Sequence, residues 1–376
     1  MNEPVVDFTQ RLVQTPSPSR EEGELAALVL AEMEKLGFDE AYQDEAGNAV
    51  GRIRGREDGP GWLLLTHLDH VDVGDEANWP HPPFSGHVDD EGRLWGRGAV
   101  DIKGPLAATV YGAAAARRQG QPPRDVWVVS VVEEELGGGG AAVLVPKLKE
   151  MIAAAVIAEP SSLQVIYGHR GVARVRLTFN GSPHHAALSR ADDNPHYALA
   201  RFLERLAVAQ RPRDRVLGAS SITPTILHAD TTSANRTPGK VTLILDWRTV
   251  GETPNEMRAL LADLTRGLDV SMVVPPLWEH GDLENTPGVR TDPGHPLVRQ
   301  MEDVRRQVLG PGPRPGLWPF ATDGRYTHAA GIPTVGFGPG DPTLAHTEHE
   351  FIEVEQLLAG ARYYEALVQQ APAIGR

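Results

Sequence analysis

Several short apolar runs in this sequence end in acidic or imidazole side chains, and this pattern constrains the fold more than any other. The three clearest examples are residues 62–66 followed by His67 and Asp69, residues 126–132 followed by Glu133, Glu134 and Glu135, and residues 153–158 followed by Glu159. Helical patterns separate several of the runs, and this alternation predicts an α/β fold with helices on both faces of a sheet. Ligand sites in such folds lie outside the carboxyl ends of the strands. The polar residues that end the runs are therefore the first candidates for a site.

The middle of the chain has a different rhythm from its two ends. At 376 residues, 41% of them apolar, the chain is expected to bury a large core in two domains. The middle segment reads as strand, helix, strand and helix, at residues 172–179, 194–209, 240–250 and 255–267. We therefore predict that residues 173–283 form a smaller inserted α+β domain. Residues 1–172 and 284–376 are then predicted to form a larger domain around a twisted, helix-covered sheet.

Composition excludes several classes of ligand and partner. The chain contains no cysteine, so disulfides and thiolate ligands are excluded and any metal site must use His, Asp and Glu. A net charge of -14 argues against nucleic acid, which is bound by clustered Lys and Arg. The first residues lack a basic start and an apolar run, and no stretch approaches the roughly 18 to 20 apolar residues of a membrane span. We expect a soluble, cytoplasmic protein that does not bind membranes.

His67 and Asp69 form the first candidate pair. Residues two positions apart on a strand point to the same side. Asp69 can therefore accept the free imidazole N–H of a metal-bound His67 and fix its tautomer. Two polar residues at an ordinary strand end have the same appearance, so the pair alone does not decide.

The remaining candidates also have plain alternatives when each is taken alone. Asp101 lies before an apolar helix at 105–116, where a simple helix cap is the alternative. The three adjacent glutamates repel one another unless cations neutralise them, but a solvated acidic loop remains open. His346 follows a Gly-Pro-Gly turn. Taken jointly, these strand ends favour a metal site, and oxygen and imidazole ligands suit zinc, cobalt or manganese.

Six segments together carry a family resemblance. They are His67-Leu68-Asp69, Gly96-Arg97-Gly98 with Asp101 and Lys103-Gly104, Glu133-Glu134-Glu135, Glu159-Pro160, Gly181-Ser182-Pro183-His184-His185, and Ala345-His346-Thr347. With these segments the chain resembles, over essentially its whole length, a family of di-zinc hydrolases. That family includes acetylornithine deacetylase, succinyl-diaminopimelate desuccinylase, aminoacylase and glutamate carboxypeptidase.

The resemblance implies a set of metal ligands. His67 and Glu159 match the terminal ligands of one zinc ion, and Glu135 and His346 match those of the other. Asp101 matches the carboxylate that bridges the two ions. Cobalt or manganese are possible substitutes for the two zinc ions per chain.

The resemblance also implies catalytic roles for three further residues. Asp69 matches the residue that orients the ligand His, and Glu134 matches the general base. The glutamate triplet leaves two registers open, because Glu133/Glu134 is an alternative to the preferred Glu134/Glu135. His185 matches an inserted-domain His that hydrogen-bonds the developing oxyanion across a dimer interface, which implies a homodimer.

The expected function is hydrolysis of an amide bond in a small N-acyl amino acid or related carboxylate-bearing substrate. Glu159, where Asp is the other possibility, resembles the deacylase and carboxypeptidase branches of the family. Asn235 and Arg325 are expected substrate contacts, Arg325 through paired hydrogen bonds to a carboxylate. A di- or tripeptidase or a carboxypeptidase is the alternative within enzymes. A catalytically silent dimeric binding protein is the alternative from another class. The larger domain is then the catalytic domain, and the inserted one serves as lid and dimerisation domain.

Overall fold

The computed structural model describes residues 3–280 and 283–374. Numbered along the chain, the α-helices of these residues are α1 (Pro4–Val13), α2 (Gly23–Lys35), α3 (Gly104–Gln119), α4 (Gly139–Leu148), α5 (Pro195–Val208), α6 (Pro254–Leu264), α7 (Pro296–Leu309), α8 (Gly324–Ala329) and α9 (Val354–Val368). Within the described part of the chain, no helix combines the length and the apolar character that a membrane-spanning segment needs.

The strands are numbered in the same way. They are β1 (Glu40–Gln43), β2 (Ala49–Ile53), β3 (Gly61–His67), β4 (Arg93–Trp95), β5 (Val126–Val131), β6 (Ile152–Ile157), β7 (Ile166–His169), β8 (Gly171–Asn180), β9 (Arg213–Asp214), β10 (Gly218–Ala219), β11 (Ser221–Ala229), β12 (Lys240–Thr249), β13 (Val270–Val273), β14 (Asn285–Thr286), β15 (Val289–Arg290), β16 (Gly316–Trp318), β17 (Thr334–Gly336) and β18 (Phe351–Glu353).

The chain divides into two compact units. The larger contains Met1–Gly168 and Val289–Arg376, and the smaller contains His169–Gly288. The smaller unit covers the segment predicted as an insertion at 173–283. Its role as a lid and dimerisation domain stays a prediction.

The larger unit is built on a nine-stranded mixed sheet. Its strand order is β1-β2-β5-β3-β6-β17-β7-β15, with β16 paired to β7. Strand β3 runs parallel to both β5 and β6, and β17 runs parallel to β6. Every residue of β3, β5 and β6 is buried, as expected for strands covered on both faces. The carboxyl ends of these three strands therefore lie at the same edge of the sheet.

Two apolar clusters form the core of the larger unit. One contains side chains of α1, α2, α3, α7 and α9, and the other contains side chains of α4 with Trp318 and Ile332. Helices α3 and α9 pack closely, since a Cβ on Gly112 would come within 2.6 Å of the Cβ of Tyr364. Helix α3 begins three residues after Asp101, so this packing anchors the segment that carries that carboxylate.

The smaller unit contains a five-stranded antiparallel sheet with two helices. Its order is β11-β12-β8-β13, and β14 also pairs with β8. Side chains of α5 and α6 pack with one face of the sheet around Phe179, Phe202 and Trp247. Strand β11 lies at the edge of this sheet and is mostly exposed. An α/β unit accompanied by a smaller α+β unit confirms the predicted fold class.

Candidate metal centre

The carboxyl ends of three parallel strands carry most of the predicted metal ligands. His67 is the last residue of β3, Glu134 and Glu135 follow β5, and Glu159 follows β6 by two residues. Strand neighbours β5, β3 and β6 thus present these side chains from one edge of the sheet. The sequence predicts this convergence because each strand is an apolar run that ends in a polar residue.

Asp101 lies between two imidazoles and touches each with a different oxygen. Its Oδ1 is 3.1 Å from Nε2 of His67, and its Oδ2 is 3.2 Å from Nε2 of His346. Each imidazole also contacts a glutamate. Nε2 of His67 is 3.6 Å from Oε1 of Glu159, and Nε2 of His346 is 3.0 Å from Oε1 of Glu135. The five residues therefore form two groups, each of one His and one Glu, joined by Asp101.

The donor chemistry of this cluster fits divalent cations. Ligand atoms of His67, Asp101 and Glu135 all lie within 4.8 Å of one another. Every donor is an imidazole nitrogen or a carboxylate oxygen, the set that suits zinc, cobalt or manganese. With Glu134 and Glu159 the cluster holds four carboxylates, and two divalent ions would balance their charge. The residues present therefore fit a site for two ions.

The pKa values of these groups are shifted because several carboxylates lie close together. Burial, together with the charge of Asp323, raises the pKa of Glu134 well above its ordinary value. Burial and the charges of Asp101 and Glu135 do the same for Glu159. Contacts with Asp101 and Glu135 raise the pKa of His346 to about 10. Anionic carboxylates in this place are thus costly unless positive charge accompanies them.

Asp69 contacts His67 and also holds the glutamate turn, the turn after β5 that contains Glu134 and Glu135. Nδ1 of His67 lies 3.0 Å from the backbone carbonyl oxygen of Asp69 and 3.3 Å from its Oδ1, but β3 ends at His67, so the alternation of a strand does not explain these contacts. That part of the sequence argument was wrong, because Asp69 lies in the loop after the strand. The two oxygens of Asp69 accept hydrogen bonds from the backbone N–H groups of Glu134 at 3.0 Å and Glu135 at 3.1 Å. Ser19 Oγ donates a third hydrogen bond, at 2.7 Å.

The three glutamates after β5 have different surroundings. Glu133 has a positive φ of 57°, and its Oε1 is 3.8 Å from Nε of Arg20. Glu134 and Glu135 instead line a pocket, where Glu135 contacts His346.

This pocket lies beside the ligand cluster and has a volume of ≈ 230 Å³. One part of its lining is Asp101, Glu134, Glu135, Glu159 and His346, and the other part is the less polar set Pro160, Phe320, Ala321, Pro342 and Ala345. A larger open groove of ≈ 620 Å³ is lined by residues of α1, α3 and α9, such as Tyr111 and Arg362, and lies away from the carboxylates.

Asp323 and Arg325 lie behind the glutamate turn. Both side chains are buried, and Nη2 of Arg325 is 3.3 Å from Oδ1 of Asp323. Burial raises the pKa of Asp323 to about 6, although the charge of Arg325 opposes this shift. Tyr326 donates a hydrogen bond of 2.6 Å from its hydroxyl to the carbonyl of Gly137. Phe320 and Ala321, a few residues earlier in this segment, line the pocket, whereas Arg325 is not among the described residues that line it. Its predicted contact with substrate stays a prediction.

Sequence reasoning did not assign a role to Arg97 or Glu350. Glu350 is fully buried, and its Oε2 accepts a hydrogen bond of 2.6 Å from Nη1 of Arg97. Burial raises the pKa of Glu350 to about 7 against the charge of Arg97. The acidic character of the segment after His346 is visible in the sequence, but the burial of one particular glutamate is not.

The candidates of the smaller unit lie together in exposed loops. His185 forms an isolated β-bridge with Arg236, and the backbone N–H of Ala186 donates to the carbonyl of Asn235 at 2.8 Å. Nδ1 of His185 accepts a hydrogen bond of 3.2 Å from the backbone N–H of Ala187. That contact leaves Nε2 as the nitrogen that can carry the proton and donate it.

Comparison with known proteins gives one family and many similar folds. A family model described as "Peptidase family M20/M25/M40" matches residues 63–370. A metallo-carboxypeptidase of family M20 from Sulfolobus solfataricus has a TM-score of 0.78 at 18% identity, covering 99% of this chain and 100% of that one. A tripeptidase from Staphylococcus aureus has a TM-score of 0.78 at 19% identity, with 97% of each chain covered. A dinuclear metal-binding M20 peptidase from Bacillus subtilis has a TM-score of 0.73 at 18% identity, covering 97% of this chain and 96% of that one.

Proposed function

The chain belongs to peptidase family M20/M25/M40, and from this premise we propose that it hydrolyses an amide bond in a small N-acyl amino acid or related substrate with a free carboxylate. The membership confirms the family resemblance and makes the protein a metal-dependent hydrolase. The identity of the metal, the substrate and the roles of the individual residues are parts of the proposal.

The observation that carries the proposal is the position of Asp101 between two His–Glu groups. Its two oxygens face two different imidazoles, at 3.1 and 3.2 Å. This geometry supports one ion held by His67 and Glu159, a second held by His346 and Glu135, and Asp101 as the bridge. Zinc is the proposed metal, with cobalt or manganese as substitutes, because every donor is nitrogen or oxygen.

Glu134 is the proposed general base. Divalent ions held by these ligands would, when bound, lower the pKa of a water molecule and polarise the carbonyl of the substrate. Glu134 lines the pocket beside the ligands, so its carboxylate can take the proton of the attacking water and return it to the leaving nitrogen. The contact of Glu135 with His346, while Glu133 faces Arg20, supports the Glu134/Glu135 register.

Asp69 and His185 have supporting roles in this proposal. Asp69 fixes the ring of His67 and accepts the backbone N–H of Glu134, so it holds a ligand and the base in one arrangement. His185 is proposed to donate a hydrogen bond to the oxyanion that forms at the carbonyl. Its exposure in the smaller unit, next to Asn235, supports a role toward a group outside that unit.

The pocket supports a small, weakly polar group on the substrate. Phe320, Pro342 and Ala345 form a less polar wall within ≈ 230 Å³. A short acyl chain or a small side chain would bury apolar surface against this wall. The carboxypeptidase and the tripeptidase that share the fold make C-terminal or short-peptide cleavage the alternative substrate choice for the same chemistry.

The proposal includes a homodimer in the cytoplasm. Strand β11 lies at the edge of the smaller sheet, and its Ile226 and Leu227 are 61% and 58% exposed. Exposed edge strands with apolar side chains are ready to pair with another strand. A second copy that pairs with β11 would form a two-fold interface through the smaller unit.

A substrate panel tests the function. N-acetyl and N-succinyl amino acids, their carboxyl-amidated forms, and matched dipeptides would be incubated with the zinc- or cobalt-loaded protein. We expect hydrolysis of an N-acyl amino acid, with kcat/KM reduced at least about tenfold when the carboxylate is amidated, the cost of losing a charged hydrogen bond. Preference for dipeptides would support the peptidase alternative. A protein that holds two ions but cleaves nothing in the panel would favour the silent binding protein.

A further inference from the structure

Glu350 is a buried carboxylate that the proposed chemistry does not use. It lies in the interior with 0% exposure and pairs with Arg97, whose side chain is 3% exposed. Arg97 is itself fixed, because its Nε donates to the carbonyl of Asp72 at 3.0 Å and its guanidinium lies 5.1 Å from the ring centroid of Trp79. Burying a charge pair costs a considerable desolvation free energy, so the presence of such a pair at this place calls for an explanation.

The carboxylate of Glu350 also accepts three backbone hydrogen bonds from one loop. Its Oε2 accepts from the N–H of Gly98 at 3.0 Å, and its Oε1 accepts from Val100 at 3.0 Å and Asp101 at 3.1 Å. The backbone of Asp101 is not helical, with φ -123° and ψ 81°. Asp101 is a kink within the short helical segment Ala99–Lys103, and the carboxylate of Glu350 holds the chain at this kink.

A short strand pair brings Glu350 to this loop. Strands β4 and β18 are antiparallel, with Trp95 opposite Phe351. The loop leaves the end of β4 while Glu350 immediately precedes β18, and the N–H of Gly96 donates to the carbonyl of Glu350 at 3.1 Å. His346 lies four residues before Glu350 in the same segment. One segment thus carries both a candidate ligand and the acceptor that holds the candidate bridge.

We propose that Glu350 is a positioning residue for the metal pair: it fixes the loop from Gly98 to Asp101 so that the two oxygens of Asp101 face His67 and His346. This inference rests on the proposed two-metal function. Asp69 shows the same device in the glutamate turn, where a buried carboxylate accepts two successive backbone N–H groups. Groups that orient metal ligands typically account for about 10- to 100-fold in metal affinity.

Two variants distinguish a role of Glu350 in positioning Asp101 from a role only as the partner of Arg97 in a buried charge pair. Glu350→Ala removes the carboxylate that accepts the three backbone N–H groups, whereas Arg97→Gln breaks the pair but leaves these three hydrogen bonds. We expect Glu350→Ala to weaken zinc binding about 10- to 100-fold by calorimetry, and Arg97→Gln to weaken it less than about threefold. Both variants should lower the melting temperature of the metal-free protein. The visible spectrum of the cobalt-loaded protein should change only in Glu350→Ala.

Glu348→Gln is the matched control, because Glu348 lies two residues away and is only partly buried. It should bind zinc as the wild type does. Undiminished zinc affinity in Glu350→Ala, or an equal loss in Arg97→Gln, would overturn the proposal. If Glu350→Ala does not fold, Glu350→Gln gives the same comparison with a smaller expected loss, and wild-type affinity there would be equally contrary. Wild-type protein that binds no zinc at all would instead refute the two-metal function, so the two failures are distinguishable.

Discussion

Glu32 and the carboxylates at the sheet edge, all in the larger unit, have opposite electrostatic surroundings. Glu32 in α2 accepts hydrogen bonds from Arg11 at 2.6 Å, Lys35 at 2.8 Å and Tyr111 at 2.7 Å. Burial opposes its ionisation, but these donors lower its pKa to about 2. Glu134 and Glu159 at the sheet edge have other carboxylates as neighbours, and burial raises their pKa values well above the ordinary range.

The difference separates a carboxylate that the chain itself neutralises from the carboxylates that are proposed to be functional. Glu32 is neutralised by cations of the chain itself, so it is complete within the fold. The sheet-edge carboxylates share two imidazoles between them, so their full ionisation requires positive charge from outside the chain. Strongly shifted pKa values in a pocket are a mark of functional sites, whereas a satisfied ion pair is not.

The largest expected effect tests the sheet-edge group at Glu134. Glu134→Gln should keep both metal ions and the fold while kcat falls at least about 100-fold, the size expected for loss of a general base. Glu135→Gln should instead weaken metal binding, because Glu135 contacts His346. Metal analysis and steady-state kinetics of both variants check this. If the base phenotype belongs to Glu133→Gln and the ligand phenotype to Glu134→Gln, the register is the other one.

The second prediction asks whether the sheet-edge site needs a group from a partner. Glu134→Ala and His185→Ala chains, each inactive alone, would be coexpressed with different tags. In a mixed dimer with His185 donated across the interface, the His185→Ala chain keeps its base and receives a normal His185. Random pairing makes about half of the dimers mixed with one working site of two, so activity should recover to about a quarter of wild type.

Purified mixed dimers provide the control for this complementation. If His185 acts within its own chain, every site lacks either its base or its His. Mixed dimers as inactive as the two parents would then exclude a shared site.

The smallest expected effect concerns Glu32, the carboxylate that cations of the chain itself neutralise. Because its folded pKa is depressed, its ionisation stabilises the protein above its unfolded pKa of about 4.5, and this contribution is lost as the pH falls toward about 2. Glu32→Gln should therefore destabilise the fold at pH 7 by about 1 to 2 kcal/mol, a value reduced by solvent screening because the side chains of Arg11 and Lys35 are 43% and 67% exposed. The loss should shrink between pH 4.5 and pH 2.

Denaturant unfolding of Glu32→Gln and of the exposed control Glu34→Gln at several pH values measures this effect. Glu34→Gln should match the wild type throughout. A Glu32→Gln penalty that stays constant between pH 7 and pH 3 would contradict the electrostatic account of Glu32.

The sequence predicts those parts of the site that local patterns encode. An apolar run that ends in His67 or Glu159 reads as a buried strand with a polar end, and parallel strands bring such ends together. Arg97 and Glu350 are 253 residues apart in the sequence, so no local sequence pattern predicts their contact. The hydrogen bonds that Asp69 accepts from the backbone of Glu134 and Glu135 also join distant parts of the sequence, so the sequence does not predict them.

Fold elements escaped prediction where local patterns were weak. Strand β11 is mostly exposed, so it lacks the alternation of apolar and polar residues that marks a half-buried strand. Helix α4 begins with two glycines and contains Pro146, residues that disfavour helices in isolation. Its side chains Ala141, Leu144 and Val145 are buried against the sheet, and this packing stabilises the helix in place of local propensity.

Metal stoichiometry tests the central claim most directly. The larger unit is held to bind two divalent ions that share Asp101. Wild-type protein stripped of metal and titrated with zinc should bind two ions per chain, while Asp101→Ala should lose both, because its two oxygens face both His–Glu groups. Elemental analysis and calorimetry provide the measurement. A wild type that binds fewer than two ions, or an Asp101→Ala variant with undiminished metal, would contradict the account.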